Sequence, residues 1–151
     1  MKTPFFLLAL LLTSAATFAQ SPADEAAVKA VIEGESTAFR QCKADKALSY
    51  WANVPYASHN YTEKGSGYLR GYSVISKAIR KYIGEHPEMA TDKTVNKNHD
   101  YQIRVNGSSA WATYITDAVD GGKKSQSYNG RYLEKINGAW KLVAVTGKPA
   151  P

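Results

Sequence analysis

Residues 99–146 read HDYQIRVNGSSAWATYITDAVDGGKKSQSYNGRYLEKINGAWKLVAVT, and this stretch decides the fold. His99, Tyr101, Ile103 and Val105 alternate with Asp100, Gln102 and Arg104, the period of two that places successive side chains on opposite faces of a strand. Asn106-Gly107 is a strong hairpin signal, because tight hairpin turns need positive φ, which Asn and Gly tolerate best. A second strand runs from about Ser109 to Val119, Asp120-Gly121-Gly122 turns the chain, and Ser125 to Ile136 returns. Asn137-Gly138 turns it once more, and Trp140 to Thr146 closes a four-stranded meander. Asn129-Gly130, inside the third of these strands, predicts a bulge that bends the sheet.

Working back from the meander, the period changes to that of helices. Ser21-Pro22, with Asp24-Glu25 behind, supplies a cap, a first-turn proline and acidic residues suited to a helix N-terminus. Val28, Val31, Ile32, Phe39 and Cys42 then keep one face apolar through about Cys42. A shorter helix starts at Ala44-Asp45, passes Leu48 and Trp51, and is ended by Asn53-Val54-Pro55. A third, Val74 to Ile83, carries Val74, Ile75, Ala78, Ile79 and Tyr82 on one side and stops at Gly84. Between the last two, Tyr56–Thr62 and Tyr68–Gly71 flank the turn Glu63-Lys64-Gly65-Ser66-Gly67 and form a hairpin. The sum is an α+β domain over residues 20–151, three helices packed in a strongly bent antiparallel sheet of about six strands that forms a cone with a cavity.

Residues 1–19 read differently. Lys2 precedes the apolar run Phe5–Leu12 and a small-residue stretch ending Thr17-Phe18-Ala19, the layout of a secretory signal peptide cleaved near Ala19. The run is too short for a membrane anchor, since crossing ~30 Å of hydrocarbon as a helix takes about 20 apolar residues. The product is expected free, secreted or periplasmic. A chain of 151 residues with 44% hydrophobic content supports one packed domain and excludes multidomain, collagenous and multi-span membrane classes. Its single cysteine, Cys42, is expected to act as a small buried hydrophobe, so stability comes from the core. The formal charge of +6 is scattered, with Arg80-Lys81 and Lys123-Lys124 as the only basic pairs, which argues against nucleic acid as a partner.

Three segments, Val31–Phe39, Gln102–Trp111 and Tyr132–Val143, together with the element order, resemble the nuclear-transport-factor-two-like superfamily over nearly all of residues 24–146. This is the cone fold shared with ketosteroid isomerase and the polyketide-cyclase-like proteins, and the chain looks like its small exported bacterial members. The resemblance implies a fold more than a reaction, because the superfamily hosts isomerases, dehydratases, cyclases and non-catalytic binding modules. It also implies homodimerisation through the sheet. A ketosteroid-isomerase-like site would ask for an acidic base on the sheet, and neither Asp100 nor Asp117 aligns with that role by motif. A dehydratase-like site would ask for a His and an acid inside the cone, types that His59 and Glu35 supply.

The residues themselves point to the same interior. At 100° per residue Glu35 lies at the centre of the stripe made by Val28, Ile32, Phe39 and Cys42, while Glu33 faces nearly the opposite way. A carboxylate in apolar surroundings has its pKa raised by desolvation, which is how an acid or base near neutral pH is made; the alternative is a carboxylate paired with a buried Arg or Tyr. Gly34 beside it permits a close approach by another group. His59 and Tyr61 alternate on one face of the first strand, toward the cavity mouth and Trp51. The expected function is binding of a small, partly apolar molecule by Trp51, Tyr114 and Arg131, with Glu35, His59 and Tyr61 as the catalytic set if the protein is an enzyme and a non-catalytic homodimer or partner-interaction module as the alternative; half-buried sheet residues are the competing reading for His59 and Tyr61. Arg131 is a candidate partner for a ligand carboxylate or for Glu35.

Ten tyrosines and three tryptophans stand against four phenylalanines, three of which, Phe5, Phe6 and Phe18, fall in the leader. Tyr101, Tyr114, Tyr128 and Tyr132 could line a pocket or an interface, and Trp111 and Trp140 are expected in the core. His59, His86 and His99 lack helical spacing and companion cysteines, so neither a metal nor another cofactor is expected. Gly65-Ser66-Gly67 matches neither a nucleophile elbow nor a phosphate loop.

Overall fold

A computed structural model describes residues 21–61, 67–120 and 122–150. The proposed leader and most of the turn at 63–67 lie outside them. The helices are α1 (Pro22–Arg40), α2 (Ala44–Leu48) and α3 (Tyr72–Glu85), with a 3-10 turn at Pro87–Ala90. The strands are β1 (Ser58–Tyr61), β2 (Leu69–Arg70), β3 (Val95–Asn106), β4 (Ser109–Asp120), β5 (Lys123–Ile136) and β6 (Ala139–Pro149). They form one curved, unclosed six-stranded sheet in the order β2-β1-β6-β5-β4-β3.

The α+β class and the meander are as the sequence implies, but the sheet is mixed rather than antiparallel. β1 runs parallel to β6, from Ser58 opposite Ala144 to Tyr61 opposite Gly147. The direction is set before the strand begins. The Ala52 amide donates to the Leu142 carbonyl and the Leu142 amide to the Tyr50 carbonyl, both at 2.8 Å, and Trp51 bridges Leu142 in parallel. The chain is thus already laid alongside β6 when it reaches Ser58. The same contact ends α2 at Leu48 and takes Trp51 out of the helix.

Two helix ends and the bulges also differ. Helix α1 stops at Arg40, and Cys42, half-buried with φ of 55°, makes the left-handed turn after it. Helix α3 runs through Gly84 to Glu85 and ends where Pro87 denies the next amide. Asn129 and Gly130 pair in register with Tyr114 and Thr113, so no bulge forms there. Gly130 is instead a close-packing position, where a Cβ would lie 2.8 Å from Thr146 Cγ2 and 3.2 Å from the Trp111 ring. The bulges fall at Asp100-Tyr101 in β3, where Asp100 has φ of 53°, and opposite Tyr132-Leu133, where Val143 is the extra residue of β6.

Inside the curve, Val28, Ile32, Ile75, Leu133 and Leu142 are the best-buried large apolar side chains. Trp140 joins them and donates from Nε1 to Asp24 Oδ1 at 2.8 Å, while Lys135 Nζ reaches the same oxygen at 2.6 Å. That pair of bonds pins the start of α1 to β5 and β6 and holds the Asp24 carboxyl below its usual range. Trp111 is not core: it alternates with the inward Ala110 and Ala112 and stands 46% exposed on the outer face. Because Leu142 packs at the centre of this core, Leu142→Ala should lower unfolding free energy by about 2–5 kcal/mol in urea denaturation. A loss under about 1 kcal/mol would mean that this packing is wrong.

Candidate functional site

The α1 stripe carries its one charged member inward as projected, with Glu35 buried and Glu33 exposed. Trp51 Nε1 donates to Glu35 Oε1 at 3.3 Å, and the neighbouring Ser36 hydroxyl lies 3.5 Å from Oε2. Burial raises the Glu35 pKa, against the pull of the Arg131 charge and the Trp51 bond. The close approach allowed by Gly34 is taken up by Tyr50, whose hydroxyl would be 2.5 Å from a Cβ at that position.

β1 adds two aromatic rings. His59 lies 6.1 Å from Trp51 and stacks on Tyr61 at 5.9 Å, centroid to centroid. Burial, helped by the nearby Arg131 charge, pushes the His59 pKa down to about 4, so its imidazole is neutral at physiological pH. Tyr61 donates its hydroxyl to Asn129 Oδ1 at 3.2 Å. Arg131, only 6% exposed, projects inward from β5. Its Nη1 donates to the carbonyls of Gly130 at 2.9 Å and Thr146 at 3.0 Å, and its guanidinium carbon lies 5.2 Å from the Tyr114 ring centre. Tyr114 stacks in turn on Tyr101 at 4.9 Å, and burial pushes its pKa up to about 12.

A cavity of about 440 Å³ opens beside this cluster, with Ser36, Arg40, Tyr61, Tyr114, Asn129 and Arg131 among its lining. Of the residues expected from sequence, Tyr61, Tyr114 and Arg131 are on the wall. Glu35, Trp51 and His59 are not on it; they stand behind, next to Ser36 and Tyr61, which belong to both groups.

Sequence reasoning missed Arg40, and it missed the polar wall. In that wall Asn129 Nδ2 donates to Thr116 Oγ1 at 3.0 Å, and Thr116 Oγ1 donates to Asn98 Oδ1 at 2.8 Å. Period-two alternation could have found two of these, since Thr116 follows Tyr114 by two residues and Asn129 precedes Arg131 by two.

His99 does not share a face with Tyr101. The extra residue at the Asp100 bulge turns it outward, where its ring nitrogens lie 3.2 Å from Asp100 and 3.1 Å from Asp117. Asp117, Asp100 and His99 therefore form a separate surface cluster, and the carboxylates raise the His99 pKa. Among the described residues, no three His, Cys, Asp or Glu side chains stand together as a metal site.

Solved structures repeat this helix-and-sheet arrangement over most of the chain. A protein from Pseudomonas putida, described as NTF2-like and of unknown function, matches with a TM-score of 0.72 over 88% of this chain and 90% of its own, at 16% identity. The chain has the NTF2-like fold. A cystatin-like-fold protein of unknown function from Nostoc punctiforme matches with a TM-score of 0.69 over 87% and 95%, at 12% identity. A ketosteroid isomerase-like protein from Erwinia carotovora matches with a TM-score of 0.64 over 87% and 100%, at 11% identity. No family model and no curated protein matches the chain. Identities this low carry the NTF2-like architecture and leave the reaction to the site.

The two sides of the sheet predict opposite histidine behaviour. In a proton-carbon NMR titration the His59 ring should hold its neutral shifts down to about pH 4, whereas His99 should titrate above the usual 6.5. Because the folded His59 value lies below the unfolded one, its contribution to stability is complete above 6.5 and is lost as pH falls toward 4. His59→Gln should flatten the stability profile in that window, and a midpoint for His59 near 6.5 would show the ring to be solvated.

Proposed function

We propose that this is an exported protein that holds a small, partly apolar molecule in its cone, with Tyr61, Tyr114 and Arg131 in contact with it and Glu35 as the buried acid beneath. The observation that carries the reading is the 440 Å³ cavity set against a buried, neutral-leaning carboxyl. If chemistry follows binding, it is proton transfer of the isomerase, dehydratase or cyclase kind, without metal or cofactor. A general acid must come within about 2.6–3.2 Å of the atom it serves. Glu35 sits one residue behind the wall with its Oε2 3.5 Å from the Ser36 hydroxyl, so its proton would reach a ligand only once Ser36 Oγ closes to that range and accepts from it.

Native mass spectrometry of residues 20–151 from the exported fraction of the host should show a retained small molecule. Its retention should weaken in Glu35→Gln, and an empty wild-type protein would sink the reading. The same variant has a stability signature. A carboxyl whose folded pKa is raised contributes stability below its ordinary value of 4.5 and loses it as pH rises through the folded value. Glu35→Gln should therefore gain on the wild type with increasing pH above 4.5, and a constant difference would place Glu35 in solvent.

A second reading, pairing of two copies through the outer sheet face, is favoured by Trp111 and Tyr128, exposed 46% and 40%, beside a shallow groove of about 500 Å³. Lys148 borders that groove, as does Asp100, so the patch offers both signs of charge to a copy of itself. Sedimentation at micromolar concentration should give a dimer that Trp111→Glu converts to monomer. A monomeric wild type removes this reading.

A further inference from the structure

The cavity wall is polar, yet most of its polar groups are already engaged with one another. Tyr61, Asn129, Thr116 and Asn98 form a continuous hydrogen-bonded run, and Asn129 Nδ2 also reaches Ser127. Such a wall shapes a ligand's seat without pulling strongly on it, because a satisfied donor gains little by changing partners.

Arg131 is different. It is the most buried charged side chain on the wall, and its Nε is enclosed and makes no hydrogen bond. Nη1 is occupied by two strand carbonyls, which leaves the Nε–Nη2 side of the guanidinium, a fork that matches the two oxygens of a carboxylate. Among the described residues no carboxylate lies within ion-pair distance of Arg131 or of Arg40, the second cation on the wall. Glu35 acts on both through space without pairing, and burial favours its uncharged form. A buried cation with an unused donor and no counter-ion is costly, and an arriving anion removes that cost.

We propose that the molecule held in the cone is a small organic carboxylate, its charge met by Arg131 and Arg40 and its body laid along the Tyr114 ring. The inference rests on the cavity reading above and narrows it to a chemical class. The Tyr114 ring gives the wall an apolar surface beside Arg131, so the ligand has one charged end and a short, less polar remainder. Nη1 is already bonded to strands β5 and β6, so Arg131 is held in place before the ligand arrives.

Matched acid and amide pairs test this on the full chain, with acetate against acetamide, lactate against lactamide and benzoate against benzamide. The readout is the backbone amide shifts of Thr116, Asn129 and Arg131 at pH 7. At least one acid should bind about tenfold or more tightly than its amide, and Arg40→Gln, which leaves the Arg131 carbonyl bonds intact, should weaken that acid about tenfold. An amide that binds as well as its acid overturns the carboxylate inference and leaves the cavity reading standing. If neither acids nor amides move any lining residue, both fall. Unchanged acid affinity in Arg40→Gln, with the acid still preferred, removes Arg40 from the pairing; loss of the same preference in Arg131→Lys then supports Arg131 as the partner, and its persistence overturns the proposal.

Discussion

Everything in this fold depends on one face of α1 being buried against the concave side of the sheet. Val28 and Ile32 are fully enclosed there, and burying side chains of that size contributes about 1.5–3 kcal/mol each. The helix is fixed at its first turn by Asp24, which takes hydrogen bonds from Lys135 and Trp140 at the far end of the sheet. With that end anchored, the rotation of the helix is set by the apolar stripe. The stripe then carries Glu35 into the interior whether or not an acid is comfortable there. Enclosing a carboxyl works against stability unless it is neutral or bonded; here Trp51 donates to it, while burial raises its pKa and so favours the neutral form.

Electrostatically the interior is organised around Arg131. It opposes the effect of burial on Glu35 and Tyr114, and it adds to the effect of burial on His59. One guanidinium therefore bears on three titratable groups that come from a helix and two different strands. Its own position is set by backbone carbonyls of β5 and β6, groups that do not change protonation. Such an arrangement keeps the charge of the cavity steady while Nε, enclosed in the wall, keeps no hydrogen-bond partner.

The two faces of the sheet carry different chemistry because alternation along each strand sorts residues by face. On β4, Ala112 and Tyr114 point in, while Trp111, Thr113 and Ile115 point out. The bulge at Asp100 shifts that sorting by one residue, so His99 joins Asp117 outside and Tyr101 stays inside on Tyr114. A ligand site and a partner surface can thus be built on opposite sides of the same strands, with Tyr114 and Asn129 bordering both. This separation fits an NTF2-like fold whose solved neighbours share architecture at 11–18% identity.

Local periodicity and turn chemistry in the sequence were enough to determine the three helices, the meander with its Asn-Gly hairpins, and the inward direction of Glu35, because each depends on residues within a few positions of one another. The cap at Ser21 and the turns at Asn106 and Asn137 are of this kind. Tertiary structure decided the rest. The parallel pairing of β1 with β6 follows from contacts of Tyr50 and Ala52 with Leu142, some ninety positions away in the chain. The true bulges were hidden because bulge position depends on how two strands share curvature, and Asn129-Gly130 looked more bulge-like than Asp100 or Val143. Trp111 was misplaced because hydrophobicity argued for the core while its register, known only once Ala110 and Ala112 were seen facing in, put it outside. The candidate site divides in the same way: the sequence supplied the residue types Glu35, His59, Tyr61, Trp51, Tyr114 and Arg131. Only packing in three dimensions placed three of them on the cavity wall and three behind it, because that assignment depends on distances between elements that no local spacing encodes.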